Sequence, residues 1–506
     1  MVGRSDDVKQ GDLRGKDGVH VEGSAEEPPR RSQSVRSSEE AGQLRWSEGT
    51  QGDGFVKLTP DESKPPQVHR EIEARQGGDI PGQWSWVSRA AWTDRMLEAL
   101  ARGVKGGVWF SLIDKVCSGR NLREAATKVI ANRGAAGVDH VGVEQFEHEL
   151  EANVARLSVE LRTGQYQPRP VRRVNIPKPG SRETRPLGIP TVRDRTVQGA
   201  VRQVLEPIFE KEFARHSYGF RPQRGCKDAL RRVDELLKEG HVYVVDADLK
   251  SYFDTIPHGS LMKRVEERIA DGRVLTLIES FLKAGIFDGL TEWTPTAGAP
   301  QGAVLSPLLS NIYLNPLDHA MAAAGWEMVR YADDFVVLCR SAEEAQRALE
   351  QVQQWTASAG LTLHPTKTRI VDVQTEGFDF LGFHFETVKD GRIRRWPRKK
   401  SLQKLKDAIR AKTKRTNGSS LGSIITDVNR TLRGWYGYFQ HSTHGTFVSL
   451  DGWIRMRLRS VLRKRTGRAG RGHGWDHNRW PNAFFAEQGL FSLTMAHDLG
   501  RRSCPR

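Results

Sequence analysis

Residues 329–338 read Val-Arg-Tyr-Ala-Asp-Asp-Phe-Val-Val-Leu. Two adjacent acids, Asp333 and Asp334, sit at a Tyr-Ala turn between Val329 and the apolar run Phe335-Val336-Val337-Leu338, a pattern that predicts a strand with charge at its tip. An unpaired charge at the end of a buried strand pair is costly, and a bound cation relieves that cost. A second apolar run, Val242 to Val245, predicts another strand, and this one leads directly into Asp246 and Asp248. If the two strands are neighbours in one sheet, Asp248 meets Asp333 and Asp334. Alternation puts Asp246 on the same face as Asp248, so spacing leaves Asp246 open as a further ligand.

Carboxylates gathered at one point repel unless cations neutralise them, and hard oxygen ligands favour Mg²⁺ or Mn²⁺. Two such ions about 4 Å apart can activate an attacking hydroxyl and stabilise a pyrophosphate leaving group during in-line phosphoryl transfer. Charge fits a polyanionic partner: 78 Lys and Arg against 62 Asp and Glu give a net charge of +16 over 506 residues. RNA, DNA and an acidic membrane surface all satisfy that balance. No stretch approaches the roughly 20 apolar residues of a membrane span, and the N-terminus lacks the apolar core of a secretory signal, so a cytoplasmic protein is expected. Cys117, Cys226, Cys339 and Cys504 lie far apart without a C-x-x-C pair, which predicts reduced, structural thiols rather than a zinc module.

Residues 1–82 are polar and basic with no sustained apolar period, and are expected to form a disordered tail. Helical spacing then recurs at Val201, Val204, Leu205, Ile208 and Phe209, and at Ala229, Leu230, Val233, Leu236 and Leu237. Another helix is expected through Ala345, Leu349, Val352 and Trp355. Beyond about Arg392 the character changes to basic helices, around Leu402, Leu405 and Ile409 and around Trp453, Ile454, Leu458 and Val461.

Three segments occur in order: Asp248-Leu249-Lys250-Ser251-Tyr252-Phe253-Asp254, then Ala299-Pro300-Gln301-Gly302 with Ser306-Pro307-Leu308-Leu309-Ser310-Asn311, then Tyr331-Ala332-Asp333-Asp334. Together they resemble group II intron reverse transcriptase/maturases of the bacterial type, over roughly Trp84 to the C-terminus. The resemblance implies an α+β, right-hand polymerase fold: fingers with part of the palm over 83–243, palm over 244–390, and a helical thumb or maturase domain over 391–506. It implies an RNA-directed DNA polymerase that uses Mg²⁺, an RNA template, a DNA or RNA primer and deoxynucleoside triphosphates. Group II intron RNA, spliced with this protein's help, is the further partner implied. No cluster of Cys and His marks the endonuclease that the family often adds. Two other readings stay open: a domesticated or defence-associated reverse transcriptase, and a splicing cofactor that binds RNA without polymerising.

Residue by residue, Asp248, Asp333 and Asp334 match the family's metal-binding acids, with the Leu249 carbonyl as a further ligand. Phe253 matches the aromatic gate that would collide with a ribose 2′-hydroxyl. Gln301 resembles the contact to the incoming nucleotide; Ala303 stands where the family more often has a second glycine. Lys178 and Arg185, in Ile176-Pro177-Lys178-Pro179 and Arg185-Pro186-Leu187-Gly188, look like the fingers residues that neutralise a triphosphate. Lys367 is similar to a lysine near the leaving pyrophosphate, and Phe380-Leu381-Gly382-Phe383 to a primer-grip hairpin. Ser217-Tyr218-Gly219-Phe220-Arg221-Pro222 resembles a motif supporting the primer-template. Arg221, Arg455, Arg457, Arg459, Arg463 and Lys464 are the expected RNA contacts.

Overall fold

The computed structural model describes residues 82, 84–177, 184–289 and 291–502. The expected N-terminal tail, all but Gly82, therefore lies outside the described residues, as do Lys178 and Cys504. Among the described residues eleven strands form three sheets: β1 Val171–Pro177, β2 Thr184–Ile189, β3 Tyr243–Asp248, β4 Ile286–Asp288, β5 Thr291–Trp293, β6 Glu327–Tyr331, β7 Asp334–Cys339, β8 Arg369–Asp372, β9 Phe378–Phe380, β10 Phe383–Thr387 and β11 Ile393–Pro397.

The central sheet has the order β6-β7-β3-β8, with every neighbouring pair antiparallel. Its inner strand β7 shows why 335–338 read as an unbroken apolar run: both faces are covered. Alternation sends Phe335 and Val337 into one core, with Leu308 and Leu309 of the helix Ser306–Ala323 and Ala345 and Val352 of the helix Ala342–Ser358. Val336 and Leu338 go into another, with Ala229, Leu230 and Val233 of the helix Cys226–Lys238 and the rings of Phe378 and Phe385. A one-residue slip would exchange the two sets, so burial on both faces pins the register that places the acids.

The helix Val192–Glu210 is buried along most of its length and lies against the helix Gly119–Ala131, where a Cβ at Gly199 would meet the Ala125 methyl at 3.2 Å. Its N-terminus is capped by Thr191, whose hydroxyl accepts the Asp194 N–H at 3.1 Å. The second sheet, β2-β1-β4-β5, carries β1 and β2 as an antiparallel pair, with Ile176 opposite Arg185.

β9 and β10 join through Leu381 and Gly382, both with positive φ, in a two-residue turn. Phe378 stacks on Phe385 with ring centres 5.0 Å apart, and the Tyr438 hydroxyl donates to the Leu381 carbonyl at 2.7 Å. This ties the hairpin to the helix Leu421–Phe439. The expected division at 390/391 falls in the turn between β10 and β11, which pair over five residues, and helices take over from Lys399. Beyond it Leu405, Ile409, Val428, Leu432, Leu450, Ile454 and Leu458 share a separate core. The Asp451 carboxylate accepts from the Leu493 and Thr494 N–H groups, both at 3.1 Å, and so caps the final helix. No helix among the described residues is long and apolar enough to cross a membrane.

Candidate active site

β3 and β7 place Asp248 directly opposite Asp334, while Asp333 stands in the turn between β6 and β7. Sheet pairing thus brings the two apolar runs side by side, as expected, with Asp248 across from Asp334. The turn adopts a left-handed backbone at Ala332, φ +59°, a conformation that costs a non-glycine residue roughly 1–3 kcal/mol and persists only where surroundings enforce it.

Arg330 enforces it from below. Its guanidinium is fully buried; Nη1 donates to the Ala332 carbonyl at 2.8 Å and to Asn311 Oδ1 at 3.0 Å, and Nε donates to Asp318 Oδ1 at 2.7 Å. Nη2 completes a bidentate pair with Asp318. The segment Ser217-Tyr218-Gly219 closes the other side: the Tyr218 N–H donates to the Arg330 carbonyl at 2.9 Å, and Asn311 Nδ2 donates to the Gly219 carbonyl at 2.8 Å. Gly219 lies so near that a Cβ there would stand 2.1 Å from the Ala332 nitrogen. Sequence reasoning missed Arg330, Asp318 and the task of Gly219. The available signal was a charged residue between the apolar pair Met328-Val329 and Tyr331.

Burial dominates the electrostatics of the acids. Asp334 is pushed up to about 8, first by burial and then by Asp333, Asp246 and Asp248, with Arg398 opposing. Asp333 is also raised, chiefly by burial, with Asp248 adding to the shift and Arg185 and Arg330 opposing it. Asp246 shares the sheet face of Asp248 but lies one step back, opposite Val336 and 3.9 Å from Arg369; burial first, opposed by Arg369, lifts it to about 6. Lys367 Nζ lies 2.6 Å from Asp248 Oδ2 and neutralises that acid. Among the described residues no three acid, His or Cys side chains are gathered closely enough to hold an ion as they stand. Hard-oxygen donors with one carboxyl protonated near neutrality nonetheless fit a divalent cation, which would displace that proton and release Lys367.

The remaining predicted residues surround this point unevenly. Phe253 is buried, packed edge-on against Phe220 and Tyr252. The Ala299 N–H donates to the Phe253 carbonyl at 2.7 Å, and the Gly188 N–H to the Gln301 carbonyl at 2.7 Å, so the Pro300-Gln301-Gly302 loop is clamped between the segment after β3 and β2. Gly302 has φ +103°, and a Cβ there would lie 2.5 Å from the Gly188 carbonyl, which explains a glycine on both counts.

Residues 176–385 match the reverse transcriptase (RNA-dependent DNA polymerase) family and residues 402–480 the maturase-specific domain of group II introns. Protein YkfC of Escherichia coli K12 is 38% identical over 302 residues, which cover 52% of this chain and 79% of YkfC. The chain belongs to the group II intron reverse transcriptase/maturase family. It carries an RNA-directed DNA polymerase domain, of a family that works with a divalent metal. The group II intron-encoded protein LtrA of Lactococcus lactis is 40% identical over 196 residues, 38% of this chain and 32% of LtrA. The putative COX1/OXI3 intron 1 protein of Saccharomyces cerevisiae is 28% identical over 348 residues, 57% of this chain and 40% of that protein. The matches thus span about a third of LtrA and two fifths of the yeast protein.

In this reverse transcriptase several of the expected RNA contacts need correction. Arg221 is buried: it chelates Glu210 and donates to the Ala214 and Ser217 carbonyls at 2.6 and 2.7 Å. Arg459 is buried too, bonded to the Trp480 carbonyl at 2.9 Å and to Asn482 at 2.8 Å over the Phe485 ring. Arg463 is committed to Asp476 at 2.6 Å. These guanidiniums satisfy carbonyls and carboxylates inside the fold, since a helix with two packed faces turns some of its basic side chains inward. Arg455 and Arg457 are half-buried, and Lys464 is exposed.

The Asp334 shift predicts a pH dependence. Its folded value, about 8, lies above the ordinary 3.8, so the folded state holds the proton more tightly; metal-free stability falls as pH rises from about 4 towards 8. A cation that took Asp334 as a ligand would displace that proton, so apparent Mg²⁺ affinity is then expected to rise about tenfold per pH unit below about 8 and level off above it. Calorimetric titration across pH 6 to 9 checks this; a flat affinity would show that Asp334 is ionised without metal.

Proposed function

We propose that this protein extends a primer on an RNA template with deoxynucleotides and assists the splicing and mobility of a group II intron. The observation that carries the polymerase reading is the register of Asp248 against Asp334 with Asp333 at the adjoining turn. Asp248, Asp333, Asp334 and the Leu249 carbonyl would hold two Mg²⁺ ions, or Mn²⁺ in their place. When bound, those ions activate the primer hydroxyl and stabilise the leaving pyrophosphate. Lys178 and Arg185 neutralise the triphosphate, and Gln301 positions the nucleotide. Lys367, freed from Asp248, meets the pyrophosphate.

In this reading the β1–β2 sheet and the helices before it are fingers, the β6-β7-β3-β8 sheet is the palm, and the helices from Lys399 are the thumb and maturase domain. The match of 402–480 to the maturase-specific domain supports the last of these. Arg455, Arg457 and Lys464 remain available to RNA phosphates.

Primer extension on a primed RNA with each deoxynucleotide, with and without EDTA, tests the activity; no metal-dependent synthesis would defeat it. The gate is tested separately. Phe253→Val opens space for a 2′-hydroxyl, and ribonucleotide incorporation relative to deoxyribonucleotide is expected to rise about tenfold or more in single-nucleotide kinetics. An unchanged ratio would make Phe253 a core residue only.

A further inference from the structure

On the helical C-terminal part of the chain a recess of about 240 Å³ is lined by Arg410, Arg415, Arg457 and Arg471, with Trp453 and Met456 as its apolar wall. Arg410 lies in the last turn of the helix Lys399–Lys412, and Arg457 and Trp453 belong to the helix His444–Arg465. Separate stretches of chain thus bring four guanidiniums to one place. Acidic compensation is slight. Arg410 contacts Asp407 at 2.6 Å on its own helix, where both side chains are largely exposed. Among the described residues Arg457 bonds only neutral oxygens, Thr413 Oγ1 at 3.2 Å and the Thr413 carbonyl at 2.8 Å. Among the described residues Arg415 and Arg471 have no hydrogen-bond or ion-pair partner.

Like charges gathered in one recess repel one another. The Arg457 guanidinium is pushed below its usual range, first by burial and then by Arg410, Arg415 and Arg471. Trp453 adds a rigid wall, its ring lying 5.6 Å from the Arg410 guanidinium and 6.0 Å from Lys406 Nζ. Such a recess favours an anion that accepts several forked N–H donors at once, which is the geometry of a phosphate.

We infer that this recess is a phosphate-binding site that grips the backbone of structured RNA away from the polymerase acids. The inference rests on the reading of this chain as an intron-RNA binder, and every lining residue falls within the span that matches the maturase-specific domain. A free phosphate-bearing molecule shares the same chemistry, so the test separates the two sources.

The test uses the full chain and the double variant Arg415→Gln/Arg471→Gln. Relief of repulsion is expected to leave the variant's Tm equal to or above that of the wild type; a lower Tm would mean that the arginines support the fold and would overturn the site. Inorganic phosphate, against chloride at equal ionic strength, is expected to raise the Tm of the wild type but not of the variant. Affinity for group II intron RNA at low salt is expected to fall on the order of tenfold, with the log-log salt slope shallower by roughly 0.7 to 0.9, the share of one phosphate. Extension of a short primer-template is expected to stay within about twofold, because none of the residues lining the recess belongs to the strands or loops that carry the polymerase acids. Equal RNA affinity and equal phosphate response in both proteins overturn the site. A phosphate response in the wild type alone, with equal RNA affinity, overturns the RNA assignment and makes a free phosphate compound the ligand. Failure of the wild type to bind intron RNA above a control RNA of the same length defeats the intron-RNA reading instead, and with it the RNA assignment, while the phosphate arm still decides the recess. Equal loss of extension and RNA binding places the recess on the primer-template path and overturns it as a separate site.

Discussion

Asp333→Asn and Asp334→Asn are each expected to reduce DNA synthesis on a primed RNA by on the order of a thousandfold, about 4 kcal/mol of transition-state stabilisation. The loss follows from charge, since an amide is nearly isosteric with a carboxylate but offers a cation a neutral oxygen. For Asp334→Asn the fold is not the casualty. Burial raises this acid to about 8, and its neighbours Asp333, Asp246 and Asp248 repel its charge, so a neutral side chain relieves the metal-free protein at higher pH. Loss of extension with an equal or higher Tm, and with RNA affinity retained, is therefore the expected combination. Near-normal extension by both variants would remove the acids from the metal site.

Arg330→Met is expected to cost roughly 3–5 kcal/mol of stability, because it strands the buried carboxylate of Asp318 without its partner. The informative protein is the double variant Arg330→Met/Asp318→Leu. Replacing a buried ion pair by apolar side chains restores much of the stability, as both charges leave together. It cannot restore the hydrogen bond to the Ala332 carbonyl, which holds the turn carrying Asp333. Recovery of the melting temperature with extension still depressed, at unchanged KM for the primer-template, is the expected outcome. If extension recovers together with stability, Arg330 serves the fold alone and the turn needs no such support.

The two predictions draw on different sources. The acids were legible because a charged pair between apolar runs conflicts with burial unless a cation is present, and that conflict can be read without coordinates. Arg330 was not legible in this way. Its side chain gains meaning only from Asp318, Asn311 and Ala332, and the first two lie 12 and 19 residues away along the chain, on the helix Ser306–Ala323.

Periodicity located the helices around 192–210, 226–238 and 342–358, and unbroken apolar runs the strands around 243–248 and 334–339, because burial on one face or on two is written directly into the order of side chains. It also located the basic helices of the C-terminal part. Spacing could not say which basic side chains face solvent. Arg221 and Arg459 read as cations for RNA and proved to be donors to buried carbonyls and carboxylates, whereas Arg410, Arg415 and Arg471 attracted no notice and line one recess. A charge in the sequence carries a sign and a reach, and both are local properties. Its counter-charge arrives from elsewhere in the chain, so the neutralised arginine and the uncompensated one look alike until folding has brought, or failed to bring, an acid beside each.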